Sequence, residues 1–196
     1  MKAVYVIGGA GAGKSTFTQA LLDGLGAELG PLEDLHALPN KKNVVTLRGH
    51  WTTDRAGLYL GVMRDRHPGT DGLDRASSPV GAEWLMNADF GLCESPRWLL
   101  GEGATLATRP FIGALCAHAE LMVVHLRVDP VIADLRYLFR GTSQAEQFIK
   151  ATRTRSTNML AYVRELGAPA INIDTADPDA WDYGLDVCND WIRSSS

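Results

Sequence analysis

The stretch Gly8-Gly9-Ala10-Gly11-Ala12-Gly13-Lys14-Ser15 decides the fold of this 196-residue chain. It matches the pattern G-x-x-x-x-G-K-[ST], it follows an apolar run at residues 4–7, and it opens an amphipathic segment. Glycines let the backbone curl so that successive N–H groups face a phosphate, and the positive end of the following helix adds to the attraction. The pattern therefore predicts a strand, a phosphate-binding loop (P-loop) and a helix that together hold a nucleoside triphosphate.

Each residue type in this loop suits one part of triphosphate chemistry. Lys14 is expected to reach the β- and γ-phosphates and to act in catalysis, and the Ser15 hydroxyl is expected to ligate Mg²⁺. The other candidates for binding the cofactor here are Gly9, Ala10, Gly11, Ala12, Gly13 and Thr16. ATP and Mg²⁺ are the expected cofactors, and GTP stays open as an alternative donor.

Short apolar runs alternate with amphipathic segments along the rest of the chain. The predicted strands are residues 4–7, 44–47, 98–100, 121–126 and 170–173, and the predicted helices are 15–25, 82–88, 112–118, 130–139, 144–166 and one that starts at Asp177. This order predicts one α/β domain over residues 1–196, a three-layer sandwich with a five-stranded parallel sheet and helices on both faces. Residues 48–80 are expected to form a long irregular loop.

Composition and charge exclude several classes of protein. The net charge of −4 has the wrong sign for a dedicated nucleic-acid coat. No apolar run approaches the length of a membrane span, so no membrane partner is expected. The apolar start runs directly into the glycine loop, which argues against a signal peptide. Three cysteines without a C-x-x-C pair (Cys93, Cys116 and Cys188) predict reduced thiols in a cytoplasmic protein.

Two other classes of P-loop protein need signatures that this chain lacks. Switch GTPases carry Asn-Lys-x-Asp after a late strand, whereas Asn40-Lys41-Lys42-Asn43 comes early and lacks the Asp. Motor ATPases carry an Asp-Glu pair at the end of an apolar strand, whereas Leu99-Leu100-Gly101-Glu102 has one acid. Small P-loop kinases remain as the best interpretation.

At this point the chain resembles the nucleoside-monophosphate-kinase-like branch of P-loop kinases. The segments His67-Pro68-Gly69-Thr70-Asp71 and Gly101-Glu102-Gly103 also resemble a group of phage-encoded nucleotide or hydroxymethyluracil-DNA kinases. The resemblance implies an Arg-rich lid after the fourth strand, about residues 136–155, and an acceptor-binding insertion at about 48–88. It also implies an adenine-contacting loop at residues 174–177, in which Thr175 would contact ATP. The acceptor signatures of thymidylate and adenylate kinases are absent from the sequence, so the acceptor stays open.

Arginines in the lid region are candidates for contacts with phosphate. Arg136 and Arg140 are four residues apart on one predicted helix, so their guanidinium groups share a face. Arg153 and Arg155 return on the next helix, and opposed cationic helices repel each other unless an anion lies between them. Arg136 and Arg140 are therefore predicted to be catalytic, Arg140 also to bind ATP, and Arg153 and Arg155 to bind substrate. The alternative is a set of solvated surface arginines.

Three carboxylates are candidates for the remaining chemistry. Asp54 is the first candidate for the base that accepts the acceptor's proton, and its alternative role is to cap a helix over residues 56–63. Glu102, at the end of a predicted strand, is expected to act in catalysis by holding Mg²⁺ together with Ser15. Asp71 is the second candidate for the base. Further candidates for binding the acceptor are Arg48, His50, His67 and Thr70.

These observations predict a phosphotransferase that moves the γ-phosphate of ATP to a nucleotide-like acceptor, either a nucleoside monophosphate or a nucleotide hydroxyl. One alternative is a kinase that acts on 5-hydroxymethylated pyrimidine bases in DNA, and another is a nucleotide-binding regulator without turnover. Cations and acids nearly balance in residues 48–80, which favours a small acceptor over a polynucleotide. They are Arg48, Arg55, Arg64, Arg66 and Arg75 against Asp54, Asp65, Asp71 and Asp74. The choice between a monomer and a homodimer stays open.

Overall fold

Strand β1 (Lys2–Gly8) is an inner strand of the sheet, and both of its faces are buried. Its odd-numbered residues from Ala3 to Ile7 face one hydrophobic core, whereas Val4 and Val6 face a second core. An all-apolar strand belongs in such a place because helices cover both faces of a parallel sheet. This computed structural model describes residues 1–40, 43–63, 69–87, 95–139 and 146–194.

The described residues form seven strands, six α-helices and one 3₁₀ turn. After β1 the strands are β2 (Leu29–Pro39), β3 (Val44–Thr52), β4 (Gly57–Leu60), β5 (Trp98–Glu102), β6 (Glu120–Arg127) and β7 (Ala170–Asp174). The helices are α1 (Lys14–Leu25), α2 (Ser77–Asn87), α3 (Arg109–His118), α4 (Pro130–Phe139), α5 (Glu146–Glu165) and α6 (Pro178–Arg193), with the 3₁₀ turn at Thr70–Gly72. The order of strands across the sheet is β2-β3-β4-β5-β1-β6-β7.

Helices pack on both faces of the sheet and complete three layers. Helices α1 and α6 bury Phe17, Leu21 and Cys188 against one face. Helices α2, α3 and α5 bury residues such as Leu85, Phe111 and Val163 against the other face. The three-layer α/β architecture that the sequence predicts is therefore present, with α1 and α5 on opposite sides of β1.

The prediction of a five-stranded parallel sheet is wrong in detail, because the sheet is mixed. Strands β4, β5, β1, β6 and β7 are parallel neighbours, but β3 pairs antiparallel with β4 and β2 pairs antiparallel with β3. The predicted strand at residues 44–47 is the beginning of β3 and lies in the antiparallel part. Residues 48–80 are not one irregular loop, since they include most of β3, all of β4, the 3₁₀ turn and the start of α2. The alternative prediction of a helix over residues 56–63 is wrong, because the chain forms β4 there.

Strand β2 has no counterpart among the predicted elements, and its pattern explains why. Its leucines recur every third residue, from Leu29 to Leu38, whereas a regular strand alternates every second residue. Register shifts interrupt the pairing with β3 between Leu29 and Leu32 and between Asp34 and His36. Each shift adds a residue that the partner strand does not match, which converts a period of two into a period of three. Pro31 and Pro39 are tolerated because β2 is an edge strand.

The antiparallel pair changes which residues share an edge of the sheet. Strands β1, β4 and β5 all end at the carboxyl edge, where the loop after β1 begins. Strand β3 runs the other way, so the turn that follows it lies at the amino edge of the sheet. None of the helices in the described residues is long and apolar enough to cross a membrane. Cys116 and Cys188 are free, and Cys93 lies outside the described residues.

Candidate active site

The P-loop has the shape that its glycines predict. Gly11 and Gly13 have φ angles of 75° and 87°, which favour glycine because a Cβ atom makes this left-handed region costly. Gly13 is the N-cap of α1, and in the described part of the chain no side chain caps that end. The first amide groups of α1 are therefore available to an anion at the positive end of the helix.

Lys14 and Ser15 link the loop to the end of β5. The Lys14 ammonium group donates to the carbonyl oxygens of Gly8 and Gly9, each at 3.3 Å. The Ser15 hydroxyl donates to Glu102 Oε1 at 2.8 Å. Glu102 is the last residue of β5, paired in register with Val6 of β1, so the sheet itself brings the two motifs together.

Glu102 is a buried carboxyl group, with 1% of the residue exposed. Burial raises its pKa to about 7, and the nearby charge of Asp71 adds to the rise, whereas Lys14 and the Ser15 hydrogen bond oppose it. A hydroxyl and a carboxylate are hard oxygen donors that suit Mg²⁺. Among the described residues no group of three His, Cys, Asp or Glu side chains is placed to enclose a metal. The donor set therefore fits a magnesium ion that takes its other ligands from phosphates and water.

Thr70 and Asp71 lie directly beside Glu102. A Cβ atom on Gly69 would come within 2.6 Å of the Glu102 carboxyl carbon, and the φ angle of 69° at Gly69 also favours glycine. Asp71 Oδ1 accepts from the amides of Ala104 and Thr105, at 2.6 and 3.2 Å, in the turn after β5. Asp71 is itself exposed. Two carboxylates, one buried and one exposed, thus lie at the carboxyl edge next to the P-loop.

The side chain of Thr70 is buried and ties this segment to β1. Its hydroxyl and the Tyr5 hydroxyl are 3.1 Å apart, and Tyr5 also donates to the carbonyl oxygen of Gly103 at 3.2 Å. Burial raises the pKa of Tyr5 well above its ordinary value, so the phenol stays a hydrogen-bond donor. Thr70 therefore holds the segment in place through the contact of its hydroxyl with Tyr5.

Arg136 of the predicted lid contacts Thr175 of the predicted adenine-contacting loop. The Arg136 guanidinium donates to Gly11 O at 3.2 Å, to Thr175 Oγ1 at 2.9 Å and to Thr175 O at 3.0 Å. Trp181 lies on the same side, with a ring carbon 3.7 Å from the position of a Cβ atom on Gly13. The loop that precedes α6 is thus joined to the P-loop through α4.

Helix α5 covers the first half of the P-loop. The stem of Arg153 lies against Gly9, where a Cβ atom would come within 2.8 Å of Arg153 Cγ. Arg153 Nη2 is buried and has no hydrogen-bond partner among the described residues. A buried cationic nitrogen without an acceptor suits a bound anion. Arg155 is exposed on the same helix.

Asp54 is not brought to the P-loop. It lies in the turn between β3 and β4, where its carboxylate accepts from the Thr52 hydroxyl and from the Ala56 amide. Ala56 in turn pairs with the start of β5 through the amide of Trp98. The length of β5, about 13 Å for four residue steps, separates this turn from Glu102. The placement argues against Asp54 as the base, because the antiparallel β3 carries it to the amino edge.

Arg48 and His50 have other partners in β2. Arg48 Nε donates to Asp34 Oδ1 at 2.8 Å on the surface. His50 Nδ1 lies 2.9 Å from the carbonyl oxygen of Gly30, and its Nε2 accepts from the Met63 amide at 3.3 Å. Both ring nitrogens of His50 are therefore engaged in holding the segments together. Predicted site residues His67 and Arg140 lie outside the described residues.

Two residues at the loop carry no local sequence signal. Thr152 Oγ1 accepts from the Ala10 amide at 3.2 Å across 142 residues, which no contiguous motif could reveal. Trp181 fits the apolar stripe of α6, and its ring does meet Phe17 edge-on at 5.1 Å. Its proximity to Gly13 could be found only by folding α6 against α1.

The chain is similar to solved structures of three kinases. They include shikimate kinase from Acinetobacter baumannii in complex with shikimate, with a TM-score of 0.49, 17% identity, and coverage of 99% of this chain and 94% of that chain. A gluconokinase from Sinorhizobium meliloti 1021 gives a TM-score of 0.48 and 15% identity, with 98% and 97% covered. A sugar kinase from Janibacter sp. HTCC2649 gives 0.45 and 17%, with 98% and 95% covered.

No curated protein matches the chain in sequence. The sequence model of P-loop Nucleotide Kinase3, however, matches residues 1–183. The match runs from β1 into α6 and includes the P-loop, Asp71, Glu102 and both helices that bear the arginines. This breadth confirms the prediction of a P-loop kinase fold, and the narrower resemblance to phage-encoded kinases stays a prediction. The chain belongs to the P-loop Nucleotide Kinase3 family.

Proposed function

We propose that this protein is an ATP- and Mg²⁺-dependent phosphotransferase that moves the γ-phosphate to a hydroxyl of a nucleotide-like small molecule. The observation that carries the proposal is the contact of Ser15 with the buried Glu102, directly beside Lys14 and the open end of α1. A phosphate cradle, a cation and a pair of hard oxygen donors are the parts that phosphoryl transfer needs.

Lys14 and the first amides of α1 would bind the β- and γ-phosphates. Arg136 and Arg153, from α4 and α5, would stabilise the charge that spreads over the γ-phosphoryl oxygens in the transition state. Mg²⁺, when bound by Ser15 and Glu102 together with the phosphates, neutralises part of the phosphate charge. Arg136 would exchange its contact with Gly11 for phosphate oxygens.

Asp71 is the base in this proposal. It is exposed and lies beside Glu102, so an acceptor hydroxyl can reach it, whereas Glu102 is buried against Ser15. The acceptor oxygen attacks the γ-phosphorus, the bond to the β-phosphate oxygen breaks, ADP leaves, and the hydroxyl proton passes to the Asp71 carboxylate.

The two carboxylates also bear on the class of acceptor. A nucleoside monophosphate would bring its negative charge next to Asp71 and Glu102, where like charges repel. A neutral hydroxyl brings no such charge and needs a carboxylate as its proton acceptor. The charges beside the P-loop therefore favour a hydroxyl acceptor over a monophosphate.

A kinase that acts on hydroxymethylated bases in DNA is the second candidate, because it too transfers to a hydroxyl. Two cations, one in β3 and one in the turn that follows it, are however already neutralised by acids of β2, since Arg48 pairs with Asp34 and Arg55 pairs with Glu33. A duplex track needs unpaired cations that release counterions from the DNA. These pairs favour a small acceptor.

A transfer assay with γ-labelled ATP tests the proposal against nucleosides, nucleoside monophosphates, plain DNA and hydroxymethylated DNA. Label on a nucleoside or nucleotide hydroxyl is the expected result, and ATP consumption should rise only when the acceptor is present. ATP binding without transfer to any acceptor would instead indicate a regulator. Affinity for DNA that falls steeply between roughly 50 and 200 mM salt, with label on hydroxymethylated DNA, would favour the DNA kinase.

Asp71→Asn and Asp54→Asn form a matched pair that tests the identity of the base. Both aspartates are exposed, and both accept two hydrogen bonds that close a turn. Asp71→Asn is expected to lower kcat on the order of 10²-fold or more, with little change in ATP affinity, because an amide cannot take the proton. Asp54→Asn is expected to leave kcat within about twofold. A selective loss of kcat in Asp54→Asn alone would show that the turn at the amino edge acts in catalysis after all.

A further inference from the structure

Thr152 makes a contact with the P-loop that the proposed chemistry does not use. Its hydroxyl accepts from the Ala10 amide at 3.2 Å and donates to the carbonyl oxygen of Ile149 at 2.9 Å. The residue is 7% exposed, so little water competes for these bonds. The Thr152 hydroxyl is thus fixed by its own helix and offers an oriented acceptor to the loop.

The contact reaches the loop from α5, which packs on the opposite face of β1 from α1. Helix α5 packs in the core that faces the odd-numbered residues of β1, whereas α1 packs in the other core. The amides that face a phosphate are those at the start of α1, beside Lys14 and Ser15. Thr152 accepts from the Ala10 amide and leaves the amides at the start of α1 to the phosphates.

Neighbouring contacts fix the same half of the loop. The stem of Arg153 lies against Gly9, and the Ala12 amide donates to the Gly9 carbonyl oxygen at 3.3 Å. Arg136 holds the carbonyl oxygen of Gly11. Of these contacts, the one from Thr152 fixes the peptide group of Ala10, the residue between the two glycines that lack side chains to anchor them.

We infer that Thr152 is a positioning residue that holds the first half of the P-loop in its phosphate-binding conformation. The inference rests on the proposed function only in that the loop binds a nucleotide. A loop that is ordered before binding loses less conformational entropy when the phosphates arrive, so pre-organisation is gained as affinity. Without the hydroxyl, the Ala10 amide is free, and the loop loses its conformational entropy only when the nucleotide binds.

Thr154 on the same helix provides a matched control. Its hydroxyl also donates to a carbonyl oxygen of the preceding turn, that of Lys150 at 3.1 Å, but the side chain is exposed. Thr→Val at either position keeps the shape, the β-branch and the helical preference and removes one hydroxyl. The two variants thus differ in whether the lost hydroxyl holds the P-loop.

Titration calorimetry with MgADP provides the first test. Thr152→Val is expected to weaken binding about five- to tenfold, the value of one hydrogen bond, with kcat nearly unchanged and KM for ATP raised. Thr152→Ser, which keeps the hydroxyl, and Thr154→Val are expected to stay within about twofold of the wild type. Unchanged or tighter binding by Thr152→Val, or equal losses in Thr152→Ser or Thr154→Val, overturns the inference.

Amide hydrogen exchange of the peptide spanning residues 8–13 provides the second test and needs no nucleotide. Exchange is expected to be faster in Thr152→Val than in the wild type and unchanged in Thr154→Val. If the wild type binds no nucleotide, the proposed function fails, but this measurement still decides whether Thr152 holds the loop. If Thr152→Val melts at a lower temperature than the wild type, Thr152→Ala, which only removes atoms, is used in its place. Exchange in Thr152→Ala equal to that of the wild type would contradict the inference.

Discussion

Lys14→Ala is expected to lower the rate of phosphoryl transfer on the order of 10³-fold, because it removes the cation that stabilises the charge on the γ-phosphoryl group in the transition state. The ammonium group lies 3.3 Å from the carbonyl oxygens of Gly8 and Gly9, at the position where β1 passes into the P-loop. Nothing else in the contiguous motif carries a positive side chain. The rate is measured as label transferred from ATP to the acceptor found in the screen, at saturating ATP.

The fold should survive this substitution. Lys14 is half-buried at the start of α1, and its two contacts are hydrogen bonds of ordinary strength, so the loss of stability should stay near 1 kcal/mol. Lys14→Arg keeps the charge and should still lose most of the rate, since a planar guanidinium does not place a point charge between two phosphates. Near-normal turnover of Lys14→Ala would contradict the kinase proposal, provided that thermal unfolding shows a folded protein.

The parts of the fold that follow from local pattern could be predicted from the sequence. Strands β1 and β6 contain the apolar runs at residues 3–7 and 121–124. Helices α4 and α6 begin at Asp-Pro pairs, and the carboxylates of Asp129 and Asp177 each accept from an amide of the first turn. The edge of the sheet could not be predicted in this way. The irregular pairing of β2 hides its period, and β4 is only four residues long.

Some residues of the candidate site could be predicted from the sequence in the same way, and others could not. Lys14, Ser15 and Glu102 could be predicted because a contiguous motif and the end of a neighbouring parallel strand meet at one edge. The sequence favours Asp54 only if the strand before it runs parallel to β1. The antiparallel direction of β3 reverses the edge at which its last residue lies. Contacts from α5 require tertiary structure, since Thr152 and Ala10 are brought together only when α5 packs on β1.

Glu102→Gln is expected to lower the transfer rate on the order of 10²-fold, because an amide is a much weaker ligand for Mg²⁺ than a carboxylate. The Gln side-chain oxygen can still accept a hydrogen bond from the Ser15 hydroxyl, as Glu102 Oε1 does at 2.8 Å in the wild type. In the wild type, kcat/KM should fall as pH drops through about 7, where the buried carboxyl group takes up a proton. A variant with normal rates at all magnesium concentrations would show that Glu102 does not hold the metal.

Glu102→Gln should raise stability at neutral pH although it lowers the transfer rate, because the pKa of the wild-type carboxyl group is raised in the folded protein. Below about pH 4.5 the Glu102 carboxyl is protonated in both the folded and the unfolded chain, but between about 4.5 and 7 only the folded chain keeps the proton. Each rise in pH across this window therefore lowers the free energy of unfolding, and above pH 7 the loss is complete. From pH 5 to pH 8 the wild type should lose about 2–3 kcal/mol relative to Glu102→Gln, measured by denaturant unfolding. Glu120→Gln is the matched control, because the salt bridge with Lys2 lowers the pKa of that exposed carboxyl group and reverses the sign. If the free energy of unfolding has the same pH dependence in both Gln variants, the pKa of Glu102 is not raised in the folded protein.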